Sequence, residues 1–124
     1  MKFKLIEKGN PNQPAAPKKW YPSAVNAGKF TIRDFAKEIA GRSSLTRGDI
    51  ENVLTNFIEE LPTFLKLGMS VQLGDLGTIR LNITGEGAAT PADFKTETIA
   101  AKVIFTPSVE FKNGLADIHY EQTS

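Results

Sequence analysis

Basic side chains crowd the start of the chain, and the chemistry they offer is the neutralisation of phosphate. The first 33 residues carry seven Lys or Arg and a single acid, Glu7, giving a net charge of +6. The remaining residues carry eight basic and 13 acidic groups, giving −5. A basic segment on an acidic body is typical of chains that meet a polyanion through one part of their surface.

A second feature with chemical potential is the start of the first predicted helix. Thr31 and Arg33 open that helix, where free backbone amides attract anions. We expect both to contact phosphate, and the alternative is equally open: Thr31 is a helix cap and Arg33 a solvated charge.

The only Trp of the chain, Trp20, stands beside Tyr21 and follows Lys18 and Lys19. Aromatic side chains next to lysines can stack on nucleotide bases. The pattern favours a different role, in which the pair pins an irregular connector onto the core.

Enzyme chemistry finds no support in the sequence. There is no Cys, and the single histidine, His119, lies in a predicted strand. The glycines Gly74, Gly77, Gly85 and Gly87 form no phosphate-binding loop, because no Gly-Lys-Ser/Thr follows them. We therefore predict no catalytic residue, metal, cofactor or small-molecule substrate.

The length and composition indicate one domain, with 124 residues of which 40% are hydrophobic and 23% charged. No stretch has the length and apolarity of a membrane span, and the first eight residues lack an apolar signal core. We expect a soluble cytoplasmic protein with no membrane partner.

Period-two and proline signals organise the first 30 residues. Residues 1–8 alternate apolar and basic side chains and predict a strand. Residues 10–17 hold three prolines and predict an extended connector, and residues 18–22 are expected to remain irregular.

Two helices are predicted next, from caps and apolar spacing. Thr31 and Gly41 bound the first, and Thr46 and Gly68 bound the second. Pro62 should kink the second helix or split off its last turn.

Strands and short turns follow the second helix. Strands are predicted from Val71, over 78–83 and over 101–105, with a helix start at Thr90–Asp93 and a short helix over 109–113. Residues 118–121 alternate and are expected to pair with residues 2–5.

Eight large apolar side chains face one side of the second helix, more than one short helix and a hairpin can cover. Leaving two of them in water costs several kcal/mol at about 25 cal/mol per Å². The pattern favours a homodimer over a monomer covered by its own terminal strands.

Ordered motifs then carry a family resemblance. Residues 34–40 and 45–49, Val71-Gln72-Leu73 with Gly77-Thr78-Ile79, and Phe105-Thr106-Pro107-Ser108 resemble the HU and integration host factor family of bacterial histone-like proteins, in its divergent Bacteroides-type branch. The resemblance covers residues 29–115. It implies an α+β, HU-like fold: two helices, an antiparallel saddle-shaped sheet with an arm and a short last helix, extended here by terminal strands.

The resemblance also implies domain bounds, a partner and site residues. We predict a basic extension over residues 1–28 and an HU-like domain over 29–124. The family embraces the minor groove of double-stranded DNA as a homodimer. On this chain the implied DNA contacts are Thr78, Arg80, Lys95, Lys102, Thr106 and Lys112.

The arm departs from the family pattern. Residues 80–102 carry three basic and three acidic groups, and their one proline, Pro91, sits at a helix start and not at a ribbon tip. We expect no intercalation by Pro91 and a shortened or folded-back arm. Lys18, Lys19 and Lys29 are expected to replace part of the missing charge.

Two functions follow from these observations. The first is a non-enzymatic, nucleoid-associated protein that binds duplex DNA largely without sequence preference and bends it. The alternative is an HU-fold module for protein interaction or assembly that has lost DNA binding.

Overall fold

The computed structural model describes residues 1–123 and is a mixed α+β structure. Its chain order is β1 (Lys2–Lys8), β2 (Lys19–Ala24), α1 (Ile32–Ala40), α2 (Arg47–Lys66), β3 (Val71–Gln72), β4 (Gly77–Thr84), β5 (Ala100–Pro107), α3 (Val109–Asn113) and β6 (Glu121–Gln122). Two compact units result. The terminal unit comprises Met1–Phe30 and the residues after Leu115, and the central unit comprises Thr31–Leu115. The predicted division at residues 1–28 and 29–124 stays a prediction about domains.

The terminal unit is a three-stranded sheet in the order β2-β1-β6. The strand β2 corrects our prediction that residues 18–22 are irregular, since Pro22 lies within it opposite Leu5. The Val25 amide donates to the Lys2 carbonyl, so residues 21, 23 and 25 face β1 with their backbone groups. The nitrogen of Pro22 therefore points away from β1 at a sheet edge, where a missing donor costs nothing.

The last strand is shorter than expected. Only Glu121 and Gln122 pair with β1, in parallel, opposite Lys2 and Phe3. The predicted strand over residues 118–120 is absent, and the Met1 amino group instead donates to the His119 carbonyl at 2.8 Å.

Both long helices begin with a capping box, as their sequences predict. The Thr31 hydroxyl accepts from the Asp34 amide, and the Thr46 hydroxyl accepts from the Asp49 amide. Gly68 follows α2 at φ +85°, and the bonds from Gly68 to Leu65 and from Met69 to Phe64 close that end. No helix among the described residues could cross a bilayer.

Pro62 does not split α2, which corrects one of the two outcomes that we predicted. The helix runs unbroken for 20 residues from Arg47 to Lys66 with Pro62 inside it. Proline removes one intrahelical bond, while the buried Leu65 holds the following turn in the core.

The central sheet has the order β3-β4-β5 and is antiparallel throughout. The β4–β5 register runs from Gly77 opposite Pro107 to Thr84 opposite Ala100. Because side chains alternate along a strand, one face is polar, and the other carries Ile79, Leu81 and Ile83 of β4 with Val103 and Phe105 of β5.

The segment between β4 and β5 folds back on itself. It contains two short 3-10 helices, Pro91–Asp93 and Thr96–Thr98. The Thr98 hydroxyl accepts from the Glu86 amide at 3.1 Å and donates to the Lys95 carbonyl at 2.8 Å. Among the described residues the two strands pair no further than Thr84 and Ala100, so no long ribbon extends from the sheet.

Very little of the apolar surface is buried within one chain. Across residues 1–123, the fully buried hydrophobic side chains are Ala36, Ile50 and Leu65. Large apolar side chains of α2 and of the apolar sheet face are exposed, among them Val53 at 60% and Ile83 at 63%.

Candidate nucleic-acid interface

The sheet register brings together four of the residues that the sequence nominated. Thr78 lies opposite Thr106, and Lys102 lies opposite Asn82. Arg80 is two positions along β4 from each of Thr78 and Asn82, on the same side of the strand. We call this surface, formed by Thr78, Arg80, Asn82, Lys102 and Thr106, the polar sheet face.

The geometry of the polar sheet face suits a row of phosphates. Side chains directly opposite on paired strands are about 5 Å apart, and diagonal neighbours are about 7–8 Å apart. Arg80 and Lys102 are diagonal neighbours, since Arg80 pairs with Ile104. Two cations therefore stand between hydroxyl and amide groups that can also bond phosphate oxygens.

No acid opposes these two cations on the same face. The other paired positions of that face hold Gln72, Thr84, Ala100 and Ile104. Among residues 1–123 the ion pair within 4 Å is Arg47 with Glu51, at 3.8 Å on α2. Arg80 and Lys102 are thus exposed and carry charge that a polyanion would neutralise.

Lys112 lies apart from this face, in the last turn of α3. Ser108, which the sequence analysis missed as a positioning residue, fixes that helix. Its hydroxyl accepts from the Phe111 amide at 3.0 Å and donates to the Asp75 carbonyl. The spacing of a serine three residues before Phe111 was the available signal. The Phe111 ring also meets Phe105 edge to face at 6.3 Å.

Lys95 also lies away from the polar sheet face, within the folded-back segment. It lines a small depression with Glu86, Asp93 and Thr98. Residues 85–99 hold three acids and one base, a net charge of −2. Phosphate contact by Lys95 remains a prediction, and these neighbouring acids would repel a phosphate group there.

Lys18, Lys19 and Lys29 belong to the terminal unit. Lys19 opens β2, Lys18 lies beside Gly9 just before it, and all three side chains are exposed. Trp20 is 62% exposed and Tyr21 is 44% exposed. Within one chain neither ring is buried, but Tyr21 lines a depression with residues of the 10–17 connector, and the predicted pinning of that connector by the pair stays a prediction.

The start of α1 is already satisfied by protein groups. The Asp34 carboxylate accepts from the Thr31 amide at 2.8 Å and from the Thr31 hydroxyl at 2.9 Å. These two bonds, the backbone one first, lower the pKa of the Asp34 carboxyl below its ordinary value. Thr31 is a cap in this structure, with a carboxylate where a phosphate would sit. Phosphate contacts by Thr31 and by the exposed Arg33 remain predictions.

We expect the lowered pKa of Asp34 to appear in the pH dependence of the stability of the fold at acidic pH. A carboxyl with a lowered folded pKa stabilises the fold above its unfolded pKa and loses that contribution as the pH falls through its folded pKa. Carboxyl NMR titration of Asp34 should give a midpoint below about 3.9, the value of a free aspartate. In Thr31→Val the midpoint should rise, because the hydroxyl donor is lost. Thr31→Ser should keep the low value, and an unchanged midpoint in the valine variant would contradict the assignment.

Comparisons with known proteins give a family match for almost the whole chain. Residues 1–122 match the model of the HU-HIG family, described as an HU domain fused to a wHTH, Ig or glycine-rich motif. No curated protein sequence matches the chain significantly.

Two solved structures share the fold. A Bacteroides vulgatus protein to which bacterial DNA binding is provisionally assigned gives a TM-score of 0.63 at 13% identity, over 98% of this chain and 47% of that one. The Anabaena HU–DNA cocrystal structure gives a TM-score of 0.55 at 16% identity, over 69% of this chain and 97% of that one. The chain thus spans about half the length of the Bacteroides protein.

Proposed function

The chain belongs to the HU-HIG family, and on that premise we propose that it is a non-enzymatic DNA-binding protein that binds duplex DNA largely without sequence preference and bends it. Its fold is HU-like, with structural similarity to an HU protein crystallised on DNA. The observation that carries the proposal is the polar sheet face. The expected partner is the phosphate backbone, and no cofactor takes part.

The contact residues proposed for this partner are those of the polar sheet face. Arg80 and Lys102 neutralise phosphates, while Thr78 and Thr106 donate hydroxyl bonds that fix the register of the sheet on the duplex. None of these contacts requires a base edge, which is why we expect little sequence preference.

We propose that the working form is a homodimer. Its support is the exposed apolar surface of α2 and of the sheet face opposite the polar one. A symmetric pair would bury these surfaces against each other and place two polar sheet faces on one assembly. Bending then arises when both faces hold one duplex and draw its ends around the dimer.

Insertion of Pro91 between bases is not part of this proposal. Pro91 begins a 3-10 helix in the segment with net charge −2, and the segment is closed by the Thr98 hydroxyl. An acidic, folded-back loop is repelled by the minor groove. We place the protein in the bacterial nucleoid on the strength of its proposed DNA partner.

A salt series tests the proposal most directly. The full chain should bind a labelled duplex of about 40 base pairs with micromolar or tighter affinity, and log K should fall by about 0.9 per phosphate contact against log salt. Arg80→Gln combined with Lys102→Gln removes two cations per subunit from the polar sheet face, so the slope should shrink by about 3.6 for a dimer. Lys37→Gln with Lys66→Gln is the matched control, since it removes the same charge from the helices.

Undetectable duplex binding by the wild-type chain at low salt would overturn the proposal. The chain would then be an HU-fold module for protein interaction or assembly. The acidic loop is the observation that supports this alternative. Equal slopes in the sheet variant and its control would keep duplex binding but remove the polar sheet face from it.

A further inference from the structure

The terminal sheet carries a lysine cluster that the sequence presents as scattered residues. Lys4 and Lys8 lie on the same side of β1, because side chains two and four apart share a face. Lys19 of β2 is the register partner of Lys8, and Tyr21 is the partner of Ile6 between them. We call the surface formed by Lys4, Lys8, Lys19 and Tyr21 the lysine face.

The charge on this face is not compensated nearby. All three lysines are exposed, and none forms an ion pair within the described residues. Glu7 and its partner Trp20 lie on the opposite side of the sheet, since they occupy the alternate positions. Glu121 does share the face, but it lies at the far end, opposite Lys2. We therefore leave Lys2 out of the cluster.

The sheet is strongly two-sided. Away from Glu7, its other side is apolar, with Phe3, Leu5, Pro22, Ala24 and Tyr120 around a depression of about 630 Å³. A sheet with one apolar and one cationic side presents its cationic side to a charged partner. Tyr21 lies at the centre of that side and offers a hydroxyl donor among the three ammonium groups.

We propose that the lysine face is a second binding surface for the phosphate backbone of duplex DNA, separate from the polar sheet face. The proposal rests on the proposed function and extends it, because it adds contacts on the terminal unit. Same-side residues of a strand repeat about every 6.6 Å, and phosphates of one DNA strand advance about 3.4 Å along the axis. Lys4 and Lys8, with Ile6 between them on the same side, are thus about 13 Å apart along β1 and can reach two separate phosphates of one strand.

The same surface explains how an acidic central unit can work on DNA. The terminal unit has six basic and three acidic groups, while the central unit has nine basic and eleven acidic groups. Phosphate contacts on the terminal unit would supply charge that the folded-back segment of the central unit lacks.

The test compares triple variants of the full chain. Lys4→Gln, Lys8→Gln and Lys19→Gln together should lower the salt slope on a 40-base-pair duplex by about 0.9 for each phosphate that the variant no longer neutralises. The dissociation constant at moderate salt should rise about tenfold or more. Lys37→Gln, Arg42→Gln and Lys66→Gln form the control, with the same loss of charge on the central unit. All five lysines and the arginine are exposed, and circular dichroism melts verify that every variant folds.

The outcomes separate this inference from the proposed function. A slope in the lysine variant equal to that of the control overturns the lysine face while duplex binding itself stands. No duplex binding by the wild-type chain overturns both. If the lysine variant retains duplex binding but loses binding to phosphatidylserine vesicles, the lysine face is a membrane contact, and the inference is overturned as well.

Discussion

Replacing Gly77 by alanine adds a single methyl group, yet it should destabilise the chain by about 3 kcal/mol. Gly77 begins β4 at φ +145°, a backbone conformation that side chains rarely adopt. An added Cβ would lie 2.3 Å from the Thr106 carbonyl oxygen and 2.9 Å from the Pro107 Cα. Because both are backbone atoms of the paired strand β5, neither can move without opening the sheet.

Thermal unfolding followed by circular dichroism measures this effect. A loss of this size corresponds to a fall in Tm of about 10 °C for a chain of this length. Gly87→Ala is the matched control, because Gly87 has an ordinary backbone and nothing within 4 Å of the added atom. Equal melting of the two variants would show that β4 and β5 do not approach each other as described.

The effect should reach the polar sheet face as well. Thr106, whose carbonyl the new methyl group meets, is the register partner of Thr78. Separating β4 from β5 at this point displaces the two hydroxyl groups from each other.

Local signals made the helices predictable from the sequence. A capping Thr and an acid three residues later hold the information for a helix start within four residues, as Thr31 and Asp34 show. Gly68 marks the end of α2 in the same way, since a positive φ favours glycine. Together with the hairpin motif after Gly68, these signals predicted the mixed α+β structure that is observed.

Pairing between distant segments was less accessible. Residues 19–24 look irregular on their own because of Pro22, and only β1 supplies the partner that makes them a strand. A proline at an edge position costs no hydrogen bond, but the edge is known only once the strand order is known.

The two candidate binding surfaces likewise combine residues placed by local spacing with residues placed by strand pairing. Period two placed Thr78 and Arg80 on one side of β4, whereas their union with Lys102 and Thr106 depends on a register set across residues 85–99. Likewise Lys4 and Lys8 share a side by spacing alone, but Lys19 and Tyr21 join them only through the unexpected strand β2. Because Pro22 makes residues 18–22 look irregular, the sequence did not predict β2, and the lysine face could not be predicted without that strand.

Placing a lysine at Val53 should dissociate the proposed homodimer. Successive residues of a helix turn by about 100°, so Val53, Phe57 and Phe64 fall within about 40° of one another on α2. Buried Ile50 and Leu65 lie on one flank of this strip, which is itself exposed: Val53 is 60% exposed, and Phe57 and Phe64 are each 43% exposed. An apolar strip continuous with the core, and uncovered within one chain, is the surface that a second copy would bury.

The expected size follows from desolvation. Burying an ammonium group without a partner costs several kcal/mol, and the symmetric interface contains the substitution twice. The dimer dissociation constant should therefore rise by at least about a hundredfold, which sedimentation equilibrium can measure. Duplex affinity should fall with it, because each released subunit keeps only one polar sheet face.

Thr55→Lys is the control, since it adds the same charge two residues further along α2. Thr55 lies on the opposite side of the helix, exposed, and four residues from both Glu51 and Glu59. This variant should remain dimeric and bind duplex DNA at least as well as the wild type. Dissociation by both lysines would point to general destabilisation. A Val53→Lys chain that stays dimeric would place the subunit contact elsewhere, with the exposed Ile83 and Val103 of the apolar sheet face as the surface to examine next.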